Sequence, residues 1–108
     1  MSQEFTYYDW LLEQNLTSEQ ESKLNILLYL ISDKLTNEKI VEDYDRKIRQ
    51  TAPEFVHILD APEITHELII TTLVANFQLT RESVSQMFEG MRNQGNFAKL
   101  AEFMKEYK

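Results

Sequence analysis

Thr17-Ser18-Glu19-Gln20-Glu21-Ser22-Lys23-Leu24-Asn25-Ile26-Leu27-Leu28-Tyr29-Leu30-Ile31-Ser32-Asp33-Lys34-Leu35 reads as a helix that carries its own start signal. Thr17 or Ser18 supplies the cap. Ser18 stands three residues before Glu21, the spacing at which a hydroxyl and an acid satisfy each other's free backbone N–H groups. Leu24, Leu27, Leu28, Ile31 and Leu35 then recur every three or four positions, which is one face of a helix. Ile26, Tyr29 and Leu30 widen that face. A helix that is apolar around much of its circumference belongs at the centre of a bundle.

The same periodicity extends in both directions. Upstream, the pattern predicts a helix over 4–14, ended by Asn15, with Phe5, Tyr8 and Leu12 on one stripe, Leu11 beside it, and Tyr7 and Trp10 further round. Downstream, Thr36 is placed to cap a helix over about 37–50 that turns Val41, Tyr44 and Ile48 inward and a dense charge run outward. Pro53 suits a first helical position, so 53–59 predicts a short turn of helix. Asp60, with Pro62 and Glu63 after it, is a further start signal. It leads into a helix bearing Ile64, Leu68, Leu73, Val74 and Phe77, with Ile69 and Ile70 on other sides. Thr80 caps the next, whose stripe is Val84, Met87, Phe88 and Met91, and Gly95 is suited to its left-handed end. Asn96 opens a last helix with Phe97, Leu100, Ala101 and Met104 on one face and Phe103 and Tyr107 on another.

With two glycines and two prolines in 108 residues there is little room for β-turns. The expected fold is therefore all-α: a compact bundle of five to six helices with short loops, in a single domain spanning 1–108. That is much apolar helical surface for the size, which points to a homodimer that buries some of it between subunits.

The opening, Tyr8-Asp9-Trp10-Leu11-Leu12-Glu13-Gln14-Asn15-Leu16-Thr17-Ser18-Glu19-Gln20, and the ending, Gly95-Asn96-Phe97-Ala98-Lys99-Leu100-Ala101-Glu102-Phe103-Met104, resemble the YhaI-like family of small bacterial helical proteins. The shared features are an aromatic-rich start, a helix cap of leucine, a hydroxyl residue and an acid, and a closing helix with a glycine, an aromatic, a leucine and a phenylalanine. They cover about half the chain at its two ends and are helix caps and core stripes. The resemblance implies an all-α fold, no known activity and no functional residues to carry over.

The sharpest functional candidate lies in 73–95. Leu73-Val74-Ala75-Asn76-Phe77-Gln78-Leu79-Thr80-Arg81-Glu82-Ser83-Val84-Ser85-Gln86-Met87 is similar, without a gap, to the helix-turn-helix of the CRP/FNR-type regulators. In that alternative reading Thr80, Arg81, Ser83, Ser85 and Gln86 face the DNA major groove, where arginine and glutamine are capable base readers. Val84 and Met87 would hold the second helix to the first. The sequence departs from the pattern at Gln78, where glycine permits the turn, at Val74, where a small residue permits close approach, and at Ser85-Gln86, where serine-arginine is usual. No β wing follows. The simpler account is an antiparallel helix pair whose cap reads Thr-Arg-Glu-Ser.

Charge argues the same way. The net charge is −7, and the whole surplus sits in 1–65, with 13 acids against 6 bases, whereas 66–108 holds 5 of each. An acidic surface repels phosphate, which disfavours nucleic acid and suits solubility or a basic protein partner. The run Glu42-Asp43-Asp45 alternates with Arg46, Lys47 and Arg49 at helix-neighbour spacings, which describes a solvated face rather than a paired-carboxylate catalyst. His57 and His66 straddle a predicted break and share no metal-ligand spacing with each other. There is no cysteine, so thiol chemistry, disulfides and cysteine-based metal sites are excluded. With no phosphate loop and no nucleophile–base pair, no enzyme, metal or cofactor is expected.

Met87, Met91 and Met104 have the adaptability a groove uses, but their helical spacing favours the core. The aromatics Phe5, Tyr7, Tyr8 and Trp10, with Phe103 and Tyr107 at the other end, are candidates for a protein interface, because aromatics concentrate there. For the N-terminal set, a lid over the core is an equal reading. The start lacks a basic, then apolar, secretory pattern and no apolar run is long enough to span a bilayer, so the expectation is a cytoplasmic protein that does not engage membrane. The leading functional expectation is a non-catalytic helical interaction or regulatory protein.

Overall fold

The computed structural model describes residues 4–36 and 39–105 and is all-helical over them. Seven α-helices appear among the described residues, one or two more than expected: α1 Tyr7–Gln14, α2 Ser18–Leu35, α3 Glu42–Thr51, α4 Val56–Leu59, α5 His66–Phe77, α6 Arg81–Gln94 and α7 Ala98–Lys105. The surplus comes from the segment after Pro53. There a 3-10 turn, Pro53–Phe55, runs into the four-residue α4, which is a helix in its own right. None of these helices is long and apolar enough to cross a membrane.

The helices begin where side chains can close free N–H groups. Thr6 accepts from Asp9 N at 3.1 Å while Asp9 Oδ2 accepts from Thr6 N at 3.1 Å, a reciprocal box. Thr17 and Gln20 repeat it at 3.1 and 3.0 Å, so the α2 box starts one residue earlier than Ser18–Glu21. Thr65 and Thr80 cap α5 and α6. The α5 start thus lies at Thr65 and not at Asp60. The N–H groups of Asp60 and Ala61 turn back onto Val56 and Ile58 at 2.9 and 3.2 Å, ending α4 instead.

Thr36 does not cap α3 either. Its N–H bonds to Ser32 O at 3.1 Å and its hydroxyl to Asp33 O at 3.1 Å, so it closes α2. The expected start of α3 at Asn37 falls outside the described residues, and the helix begins at Glu42. Val41, expected inward, is exposed just before it, whereas Ile48 is buried. Gly95 ends α6 in the left-handed region at φ +86°, as expected. The last helix begins at Ala98 and not at Asn96.

One core contains residues of every helix. Leu24, Leu27, Leu28, Leu30 and Ile31 of α2 sit in it with Ile48, Phe55, Ile58, Leu73, Met87, Met91 and Leu100. Burial of such side chains contributes roughly 1.5–3 kcal/mol each before chain entropy is counted. Ile69 and Ile70 are buried within this same core, so the apolar excess of α5 is absorbed by the chain itself. The three methionines singled out above are core residues too.

Of the two sets of large side chains on the first helix, one faces the core. Tyr7 and Trp10 are buried, Trp10 completely, while Tyr8 and Leu12 are 61% and 65% exposed. Trp10 has more area to hide and a ring N–H that finds a partner, so it wins the inward position.

Candidate functional site

Thr65 and the αL residue Gln78 bound α5, and three residues, Gln78, Leu79 and Thr80, carry the chain into α6. Gln78 adopts φ 54°, ψ 39°, the conformation a glycine takes at low cost. Leu79 is buried, and Thr80 Oγ1 accepts from Ser83 N at 3.0 Å. Locally this is a helix, a tight turn and a second helix.

Its surroundings differ from those of a free reading helix. α1 lies along one side of α6. Trp10 Nε1 donates to Ser83 O at 2.9 Å, the Ser83 hydroxyl reaches Gln14 Oε1 at 3.3 Å, and Tyr8 N donates to Gln94 Oε1 at 3.0 Å. Asn93 Nδ2 donates to Phe5 O at 2.7 Å. Gly90 makes this approach possible: a Cβ there would lie 2.7 Å from Thr6 C and Tyr7 N. α7 packs along α6 as well, so that Ser85 and Arg92 edge a cleft shared with Met104 and Lys105.

Of the five expected DNA-reading residues, Thr80 caps the helix, Arg81 forms an ion pair with Glu67, and Ser83 is held by α1. Ser85 and Gln86 are exposed, on a strip they share with two carboxylates, Glu82 and Glu89.

The interface candidates separate into two groups. Tyr7 and Trp10 are core residues that stack on each other with ring centroids 6.1 Å apart, and the chain itself covers them. Burial, with the charge of Glu21 adding to it, pushes the Tyr7 hydroxyl well above its ordinary range. Phe5 and Phe103 are half-buried. Phe103 lies flat on His66, 4.1 Å between ring centres, and its carbonyl accepts from His66 Nε2 at 2.8 Å. Tyr107 lies outside the described residues.

His57 is elsewhere, with Nε2 3.1 Å from the Thr72 hydroxyl. Among the described residues no three His, Asp or Glu side chains stand together as a metal set. The charge run on α3 is a solvated face: Arg46 pairs with Glu42 and Asp43 at 3.3 and 3.4 Å, and Arg49 with Asp45 at 2.7 Å. Arg49 also reaches Asp60 at 2.6 Å, which ties α3 to the end of α4.

Tyr8 and Leu12, one helical turn apart, stand exposed on the outer face of α1. Beside them, Phe5, Glu13, Gln86 and Glu89 line an open hollow of about 300 Å³ between α1 and α6. A second hollow is lined by Leu35, Ala98, Lys99, Glu102 and Phe103 on α2 and α7. The glycine inside α6 was the available clue, because a helix-interior glycine marks a close backbone approach. That approach fixes which side of α1 faces in.

Comparison with family models, with curated proteins and with solved structures gives no match for this chain.

Proposed function

We propose that this chain is a non-catalytic helical interaction or regulatory protein that acts as a homodimer in the cytoplasm. The observation that carries the reading is the outer face of α1, where Tyr8 and Leu12 stand exposed although the opposite side of the same short helix is locked into the core. Large apolar side chains paired one turn apart are the anchors from which helix-mediated protein contacts are built. Self-association is assigned to the α2–α7 hollow at Phe103. Lys99 and Glu102 on its rim have opposite charges three residues apart, so a two-fold axis can set each against its opposite in the second copy. The resemblance of the two ends of the chain to the YhaI-like family implies an all-α fold and adds no activity to this reading.

The alternative is a helix-turn-helix regulator of transcription. The left-handed Gln78 in a three-residue link and the exposure of Ser85 and Gln86 favour it. Glu82 and Glu89 on the outward strip and the occupation of Ser83 by α1 weigh against it.

Light scattering on the eluting protein, at low and moderate salt, with and without a random-sequence duplex pool, tests both. The expected mass is twice the 12.8 kDa of the chain, unchanged by DNA. A salt-sensitive complex with duplex, lost in Arg81→Ala/Gln86→Ala, makes the alternative correct.

A further inference from the structure

We propose that the outer face of α1, together with the α1–α6 hollow beside it, docks a basic amphipathic helix of another protein. The proposal rests on the interaction-protein reading above and names the chemistry of the partner.

The argument is one of pattern and charge. Successive helical residues are rotated by about 100°, so the row Tyr8–Leu12 is followed round the helix by the row Asp9–Glu13. Both rows are exposed. The first is apolar and the second acidic. Across the hollow, α6 adds Gln86 and a further carboxylate, Glu89, opposite Glu13, and among the described residues no lysine or arginine lines that hollow. Two carboxylates lining one depression repel each other, and a cationic group placed between them removes the repulsion. Along the chain the imbalance is complete: residues 1–22 contain Glu4, Asp9, Glu13, Glu19 and Glu21, and the first basic residue is Lys23. The complement of such a face is a helix with apolar residues one turn apart and lysine or arginine in the adjacent row.

A second copy of this chain is a poor occupant. Apposing two such faces sets Asp9 and Glu13 against their own counterparts with no base on either helix to offset them. Like-charge juxtaposition of this kind is how an interface rejects a wrong partner. The charge-balanced hollow at Lys99 and Glu102 lacks that obstacle.

The test titrates isotope-labelled full-length protein with synthetic peptides of about 18 residues while its amide signals are followed. The first peptide is a leucine–lysine amphipathic helix. The second has the same composition shuffled so that no apolar face forms. The third is a leucine–glutamate helix. The first is expected to bind, more weakly as salt rises, with shifts concentrated at 5–13 and 86–89. The shuffled peptide should bind about tenfold more weakly or worse. Tyr8→Ser/Leu12→Ser, which alters exposed side chains alone, should weaken the first peptide by a similar factor. Glu13→Lys/Glu89→Lys should transfer preference to the leucine–glutamate peptide.

Equal binding of the shuffled peptide, shifts centred elsewhere, indifference to charge reversal, or no binding of the leucine–lysine peptide overturns the proposal. So do concentration-dependent shifts at 5–13 in the protein alone, which identify a second copy as the occupant. A dimeric mass without peptide binding removes this partner and leaves the interaction reading in place. A monomeric mass with peptide bound does the reverse for self-association.

Discussion

Gly90 and Gln78 are two positions where one side chain decides the geometry around it. A glycine inside a helix normally costs up to about 1 kcal/mol relative to alanine. At Gly90 that preference is overruled, because a methyl group would press into the backbone at Thr6 and Tyr7. Gly90→Ala should therefore destabilise, by about 1–3 kcal/mol, through overpacking against main-chain atoms that cannot swing aside. A lowering of the melting temperature by roughly 4–8 °C per kcal/mol in calorimetry checks it, and an unchanged or raised value refutes the close approach. Gln78 is the converse. It holds a left-handed conformation that strains any residue with a Cβ by about 1–2 kcal/mol. Gln78→Gly removes that strain and returns part of the gain as extra freedom in the unfolded chain, so a net rise of a few tenths to about 1 kcal/mol is expected in denaturant unfolding.

At the level of helices, what the sequence made legible and what it hid have separate physical causes. The central α2, the α6 stripe, the Thr80 cap and the Gly95 terminus were readable because long periodic segments and caps are local properties. The facing of α1 was not. An eight-residue helix carrying Tyr7, Tyr8, Trp10, Leu11 and Leu12 is apolar nearly all round, so periodicity cannot choose its inner side. The choice is made by Ser83 O, which receives the indole N–H, and by the gap at Gly90, both more than 70 residues away. The acid–base row of α3 was legible, but its most telling pair, Arg49 with Asp60, joins two elements across a turn and was not.

That pair makes a prediction of its own. The Arg49 guanidinium holds the Asp60 carboxyl below its ordinary range. A carboxyl depressed in the folded state adds stability above its unfolded value, and that stability is lost as pH falls through the lower, folded one. Glu54 acts in the same direction: burial alone raises its carboxyl, but the Lys23 ammonium at 2.8 Å brings it below the ordinary value. Melting temperatures of wild type and Asp60→Asn should differ most near neutrality and converge as pH drops below about 4. A constant gap across that range refutes the assignment.

For the molecule as a whole, the distribution of charge matters more than its sum. The net −7 is concentrated in the first 65 residues, and the last 43 are balanced. The two hollows differ as well, one lined by Glu13 and Glu89 beside α1 and one by Lys99 and Glu102 on α7. The two partners proposed above differ because the electrostatics of the two hollows differ. Mixing with duplex DNA should accordingly leave the mass unchanged at low salt, the condition in which any phosphate attraction is strongest. There the Arg81→Ala/Gln86→Ala variant should behave as wild type.

The lock between α1 and α6 has a consequence for how the chain is made. Trp10 and the serine that receives its N–H are separated by 73 positions. At a synthesis rate of about 5–20 residues per second, α1 leaves the ribosome several seconds before its receptor helix exists. During that interval Trp10 and Tyr7 lack the helix that packs over them in the fold. A nascent chain of this protein therefore carries an uncovered aromatic segment until α6 has been made.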